Sequence, residues 1–213
     1  MIYLLLDQFF PLTCLLCRLP SPHPLAICLT CRQLISHDDS FADRFDDTDY
    51  PIRYLSAYQS PVKELIQRGK FQDNLAVFKV LGQLLAQQIE TQGFDPELVI
   101  IPVPLHNNKL LTRGYNQANE IALPLAKQLS LQINNNCVIR VQEAKTQHFL
   151  SKKQRMANAQ QLFQIKATVP KKVAVVDDVF TTGATMSSIT ACLKNAGVEL
   201  IEVWIIARTL KQS

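Results

Sequence analysis

Three nearly continuous apolar runs, at residues 98–103, 172–176 and 199–207, constrain this chain more than any other feature. A strand wet on one face alternates apolar and polar residues; a run without alternation needs cover on both faces. Between the runs lie segments with helical spacing. Phe78, Leu81, Leu85 and Ile89 fall on one face of a helix expected over 75–90. Ile121, Leu125 and Leu129 do the same over 116–129. A helix over 61–68 is expected from Ser60 as a cap, Pro61 at its first position and Gly69 as a stop, and another over 184–195. Further strands are expected over 53–59 and 138–141. Strands alternating with helices predict an α/β fold, a mostly parallel sheet flanked by helices. With 213 residues, 47% of them apolar, the chain can bury such a core. The expected division is an N-terminal helix and cysteine module over 1–50 and the α/β domain over 51–213, joined by an acidic connector carrying Asp38, Asp39, Asp43, Asp46, Asp47 and Asp49.

The cysteine module rests on Cys14-Leu15-Leu16-Cys17, ten intervening residues, then Cys28-Leu29-Thr30-Cys31. Each C-x-x-C turn presents two thiolates, and two such turns supply the four soft ligands of a closed tetrahedral zinc site. The expected metal is therefore structural zinc on Cys14, Cys17, Cys28 and Cys31. His23 and His37 fit the spacing less well. Redox dithiols and disulfides are the competing readings, but two C-x-x-C pairs in so short a window, with no βαβ pattern around them, favour zinc. Cys137 and Cys192 sit in apolar patterns and are expected to be packing residues.

The apolar run at 172–176 leads into Asp177-Asp178-Val179-Phe180-Thr181-Thr182-Gly183-Ala184-Thr185 and then a helix. The expectation is an acid pair at the carboxyl end of a buried strand, the edge at which open α/β sheets bind ligands. Backbone N–H groups from Thr181 to Thr185, with the helix N-terminus, can cradle a phosphate, and Gly183 allows close approach. Two carboxylates would repel that phosphate if they lay beside it. They are consistent with accepting hydrogen bonds from vicinal hydroxyls while the phosphate sits farther along, the layout of a ribose 5-phosphate. The alternative is a magnesium-holding acid pair of an NTPase. It lacks its lysine, because the chain has no G-x-x-x-x-G-K-[ST] motif, and it has no G-x-G-x-x-G.

This nine-residue run resembles the phosphoribosyl diphosphate signature of type I phosphoribosyltransferases. Together with the four-cysteine N-terminus, the stretch from Pro102 through Lys109, Arg113 and Gly114 to Gln117, and the stretch from Gln147 to Ser151 leading to Arg155, Asn158 and Phe163, it resembles the ComF/GntX family. The resemblance covers essentially the whole chain. It implies a type I phosphoribosyltransferase-like fold, a phosphoribosyl diphosphate ligand arriving with magnesium, and a link to natural transformation. In that frame Asp177 and Asp178 hold ribose hydroxyls and Thr181, Thr182, Gly183, Ala184 and Thr185 hold the 5-phosphate. Lys109 and Arg113, on what reads as a cationic loop turned by Gly114, face the diphosphate. Lys109 and Arg113 are also the catalytic candidates on that element; Gln147 and His148 are candidates for a base by position alone. Whether the protein is an active transferase or a non-catalytic ribose-phosphate or single-stranded DNA-binding accessory stays open here.

The segment 145–155, with Lys145, His148, Lys152, Lys153 and Arg155, reads either as a mobile cover for the site or as a solvated helix opened by Ser151 and Gln154. A net charge of +4 permits contact with DNA without requiring it. The apolar start, Leu4 to Phe10, lacks a basic leader and is broken by Asp7, so it reads as a docking helix rather than a membrane span. The expected location is the cytoplasm, with the inner face of the membrane as a peripheral alternative, and the expected partners include DNA-uptake proteins.

Overall fold

The computed structural model describes residues 12–21, 25–35, 48–72, 74–141 and 162–209. The expected N-terminal docking helix, the base candidates Gln147 and His148, and the cationic segment 145–155 lie outside the described residues.

A small hairpin, β1 (Leu12–Thr13) and β2 (Pro20–Ser21), is followed by helix α1 (Leu29–Ile35). Strand β3 (Ile52–Ala57) precedes α2 (Val62–Phe71) and α3 (Leu75–Gln92). Then come β4 (Val99–Pro102), α4 (Asn107–Arg113), α5 (Gln117–Leu129) and β5 (Gln132–Ile133). A hairpin of β6 (Val138–Arg140) and β7 (Phe163–Ile165) leads to β8 (Lys172–Phe180), α6 (Ala184–Asn195) and β9 (Leu200–Arg208). Strands β3, β9, β8, β4 and β5 form one sheet in that order, and every neighbouring pair is parallel.

Both faces of the sheet are covered, as the unbroken apolar runs require. On one face, Ala174, Val176, Trp204 and Ile206 pack with the buried residues of α2, α3 and most of those of α5. On the other, Val173, Val175, Val203 and Ile205 pack with Met186, Ile189 and Leu193 of α6 and with Val138 and Phe163 of the β6–β7 hairpin. Cys137 is fully buried there; Cys192 is half-buried, its thiol aimed at the Phe163 carbonyl at 3.6 Å. The acidic Glu202 in β9 is satisfied by Arg53 Nε and Trp204 Nε1, both at 2.9 Å. Asp49, at the end of the acidic connector, is exposed and forms an ion pair with Lys194.

Three local expectations give way. Ser60 does not cap α2: the Ser60–Pro61 bond is cis, Pro61 takes the cap position, and no side chain caps the helix. Gly69 does not stop it either. The helix continues to Phe71 because Gly69 is a contact residue, where a Cβ would stand 2.6 Å from the buried Phe78 ring. The segment after β4 is a short helix rather than a loop.

Gly82 plays the same part between α3 and α5. A Cβ there would lie 2.6 Å from the Ile121 carbonyl oxygen and 2.7 Å from Pro124 Cγ. Backbone and a ring cannot yield as a flexible side chain can, so Gly82→Ala must push the two helices apart. We expect a loss of about 1–3 kcal/mol of stability, seen as a lower denaturant midpoint at unchanged slope.

Candidate functional site

Strand β4 ends in register at Pro102 opposite Val176, with one further bond from Val103 N to the Val176 carbonyl at 2.9 Å. β8 does not end there. It runs on through Asp177, Asp178, Val179 and Phe180, paired with β9 alone from Asp177↔Ile205 to Phe180↔Arg208. The acid pair therefore lies inside a strand, at the point where that strand loses its neighbour on one side. Such a notch is where open α/β sheets accept ligands.

Successive strand residues point to opposite faces. Asp178, only 4% exposed, faces α2, where Lys70 Nζ forms an ion pair with its Oδ2 without hydrogen-bond geometry. Asp177 is partly buried, and its Oδ1 accepts from Asp178 N at 2.9 Å. Burial above all, then the neighbouring Asp178 charge, pushes the Asp177 carboxyl well above its ordinary pKa, although Lys70 works in the other direction.

The turn after β8 has one demanding position. Gly183 has φ +77°, and a Cβ on it would stand 2.9 Å from Phe180 Cζ. Both the backbone conformation and the aromatic ring call for glycine. Gly183 then serves as the N-cap of α6; no side chain caps that helix and no acidic residue occupies its first turn. Its N-terminal N–H groups and positive dipole end are thus left to a concavity lined by Val179 to Met186. Thr181 and Thr182 are exposed, Ala184 is exposed, and Thr185 is half-buried.

Helix α4 leaves the same edge from the neighbouring strand. It buries no residue and is held by its ends: His106 Nδ1 accepts from Asn108 N at 3.3 Å, and Gly114, with φ +76°, closes it in the left-handed region. Arg113 Nη1 donates to Gln117 Oε1 at 2.8 Å, and Lys109 is exposed. Neither has a hydrogen bond or ion pair with the Asp177–Thr185 segment among the described residues. The acid pair and the loop are thus brought together by consecutive elements, whereas Lys109 and Arg113 share only the edge.

Lys70 is the site residue that sequence reading missed. It sits near the end of α2, which crosses the carboxyl edge: Tyr115 Oη donates to the Gly69 carbonyl just after α4. The only local signal is the pair of cations flanking Gly69, Arg68 and Lys70, and of these three residues only Gly69 carries a sequence expectation, as a helix stop.

The four cysteines form a second centre. Cys14 and Cys17 lie in the turn of the β1–β2 hairpin and Cys28 and Cys31 at the start of α1, with all four Sγ atoms within 4.8 Å of one another. The Cys17–Cys28 separation is 3.8 Å, and four bonds of about 2.3 Å from one zinc ion would set sulfurs about 3.8 Å apart. Burial opposes ionisation of Cys14, but N–H donors from Cys28, Cys17 and Leu16 outweigh it and bring the thiol to about 6. Cys31 is pushed above its ordinary value by burial and by the other three cysteines. Four thiols this close ionise together only when a cation offsets their charge, so the donor set fits a metal ion. Cys14, Cys31 and Ile35 share one core with Val62, Leu65 and Ile66 of α2, and Arg68 Nη1 donates to the Leu15 carbonyl at 3.1 Å.

No family model matches the chain. Among curated proteins it is 39% identical over 162 residues to Competence protein F of Haemophilus influenzae, covering 72% of this chain and 71% of that one. It is 32% identical over 161 residues to the DNA utilization protein YhgH of Escherichia coli K12, covering 73% and 71%. Among solved structures, a hypoxanthine-guanine phosphoribosyltransferase of Bacillus anthracis aligns with a TM-score of 0.37 at 14% identity, over 64% of this chain and 72% of that one. That likeness is too distant to bear on function. No helix among the described residues is long and apolar enough to cross a membrane.

Proposed function

This chain belongs to the ComF/GntX family, and from that premise we propose that it binds a phosphoribosyl diphosphate-type ligand at the carboxyl edge of its sheet and serves in the uptake or use of DNA. The second half rests on relatives named as a competence protein and a DNA utilization protein. The first half rests on one observation: an acid pair and an uncapped helix N-terminus are joined by a single turn, Asp177 to Thr185.

The chemistry follows from that turn. Asp177 and Asp178 accept hydrogen bonds from the vicinal hydroxyls of the ribose. The N–H groups from Thr181 to Thr185 and the threonine hydroxyls receive the 5-phosphate, where the helix dipole favours negative charge. Lys109 and Arg113 lie on the element that leaves the same edge, and they supply positive charge for the diphosphate. Magnesium carried by the diphosphate would add charge neutralisation there. Zinc occupies the four-cysteine centre in a structural role.

Whether the bound sugar is then transferred depends on an acceptor. The direct test is calorimetric titration of the metal-loaded protein with phosphoribosyl diphosphate, with and without magnesium, followed by a screen for diphosphate release with candidate bases. We expect binding that tightens with magnesium. Binding without release would leave a non-catalytic accessory that holds a ribose phosphate or a DNA strand. No binding at all by the folded protein would overturn the ligand reading.

A further inference from the structure

Asp178 is almost entirely buried, yet it sits at a ligand edge rather than in a core. A buried carboxylate is costly unless a cation or hydrogen bonds offset it. Its offset is Lys70, which comes from an element outside the strand–turn–helix that builds the rest of the site. We propose that Lys70 is a positioning residue of this site: it fixes Asp178 by one carboxylate oxygen so that the other meets one ribose hydroxyl, and it thereby sets the preference for a ribose phosphate over the matching deoxyribose phosphate. This inference rests on the ligand reading above.

Three contacts make the end of α2 a rigid mount for that lysine. Gly69 lies against the Phe78 ring at a distance no Cβ would allow. The Gly69 carbonyl accepts from Tyr115 Oη. One residue before Gly69, Arg68 Nη1 donates to the Leu15 carbonyl of the cysteine module. The lysine side chain itself is 22% exposed, so its ammonium is partly withdrawn from water and its hold on Asp178 is screened less than that of a surface pair. The pair meets through Oδ2, and on this reading Oδ1 is the oxygen that meets the sugar.

A plain structural ion pair would pin α2 to the sheet and nothing more. It predicts that losing Lys70 lowers stability and leaves ligand preference alone. A direct phosphate contact predicts equal weakening of every phosphorylated sugar. Positioning predicts something narrower: loss of discrimination at one hydroxyl.

The experiment uses the full, metal-loaded chain and three probes, ribose 5-phosphate and its 2-deoxy and 3-deoxy analogues. In the unaltered protein, ribose 5-phosphate should bind more tightly than both analogues. Asp178→Asn should flatten one of the two preferences and so identify the hydroxyl that Asp178 reads. Lys70→Met should flatten that same preference, by about tenfold, the size of one charge-assisted hydrogen bond, and leave the other intact. Lys70→Arg, which keeps the charge, should retain most of it and serves if the methionine variant does not fold. Combining Lys70→Met with Asp178→Asn should add nothing beyond Asp178→Asn, because the lysine acts through the acid.

Equal weakening of all three probes, or unchanged ratios with lowered stability, would overturn the role of Lys70 while leaving the ligand site standing. An unaltered protein that binds ribose 5-phosphate without preferring it to either analogue would remove the hydroxyl-reading role and this inference with it. Failure of the unaltered protein to bind any of the three probes, or phosphoribosyl diphosphate, would remove the ligand site and with it the role of Lys70.

Discussion

Stripping the metal from the four-cysteine centre, or changing Cys31 to serine, is expected to unfold the segment from Cys14 to Ile35 and to weaken ligand binding at the far end of α2. The segment has little interior of its own. What it buries, Cys14, Leu25, Ile27, Cys31 and Ile35, is one side of a core whose other side is Val62, Leu65 and Ile66. Metal binding in small modules contributes roughly 10–16 kcal/mol of apparent free energy, comparable to the whole reserve of a typical domain. Loss of the module exposes the outer face of α2 and frees Arg68 from the Leu15 carbonyl. Lys70 sits two residues on, bound to Asp178. The expected signature is graded. Hydrogen exchange should rise sharply over 12–35 and moderately over 62–71, and stay near its original level in β8 and β9. Affinity for phosphoribosyl diphosphate should fall several-fold rather than vanish, because the turn from Asp177 to Thr185 belongs to other elements. Metal analysis of the purified chain identifies the ion. Unchanged exchange over 12–35 after verified metal removal would show that the module folds without it.

The features legible in the sequence were those fixed by near neighbours. The cysteine cluster follows from two short spacings, and the candidate turn from Asp177 to Thr185 from nine consecutive residues. The parallel sheet was legible because apolar runs without alternation have few other uses. What escaped depended on contacts between distant residues or on elements without an apolar face. Asp177 and Asp178 looked like the end of a strand, since charge usually marks an edge; the strand continues because β9 pairs with it as far as Arg208. Helix α4 buries nothing, so it has no periodicity to read, and it exists through its caps at His106 and Gly114. Gly69 looked like a terminator because glycine is costly inside a helix. Its reason for being there is the Phe78 ring, which only packing reveals. Lys70 meets an acid more than a hundred residues away in the chain, and no local pattern announces such a pair.

Changing both Asp177 and Asp178 to asparagine is expected to remove most of the ribosyl affinity while leaving the fold intact. Hydrogen bonds to a charged group contribute about 1.5–3 kcal/mol each. An amide oxygen still accepts, so the lower figure applies, and two of them come to roughly 3 kcal/mol, about a hundredfold in Kd. The single Asp177→Asn change separates function from stability. In the folded protein Asp177 keeps its proton to higher pH than in an unfolded chain, where the value is 3.8. The native state therefore binds more protons between those two values. The favourable linkage is complete below the unfolded value and is lost as pH rises through the folded one. Above the unfolded value the crowded carboxyl is a net burden on the fold. Asparagine removes that burden, so the variant without ligand should melt higher than the unaltered protein near neutral pH, with the gap closing as pH falls toward 3.8. The same variant should bind phosphoribosyl diphosphate more weakly. Paired melting curves and titrations across pH check both halves. A variant that melts lower near neutral pH would mean that Asp177 stabilises the empty site. One that melts higher but binds as before would mean that the strain at the notch serves something other than the sugar.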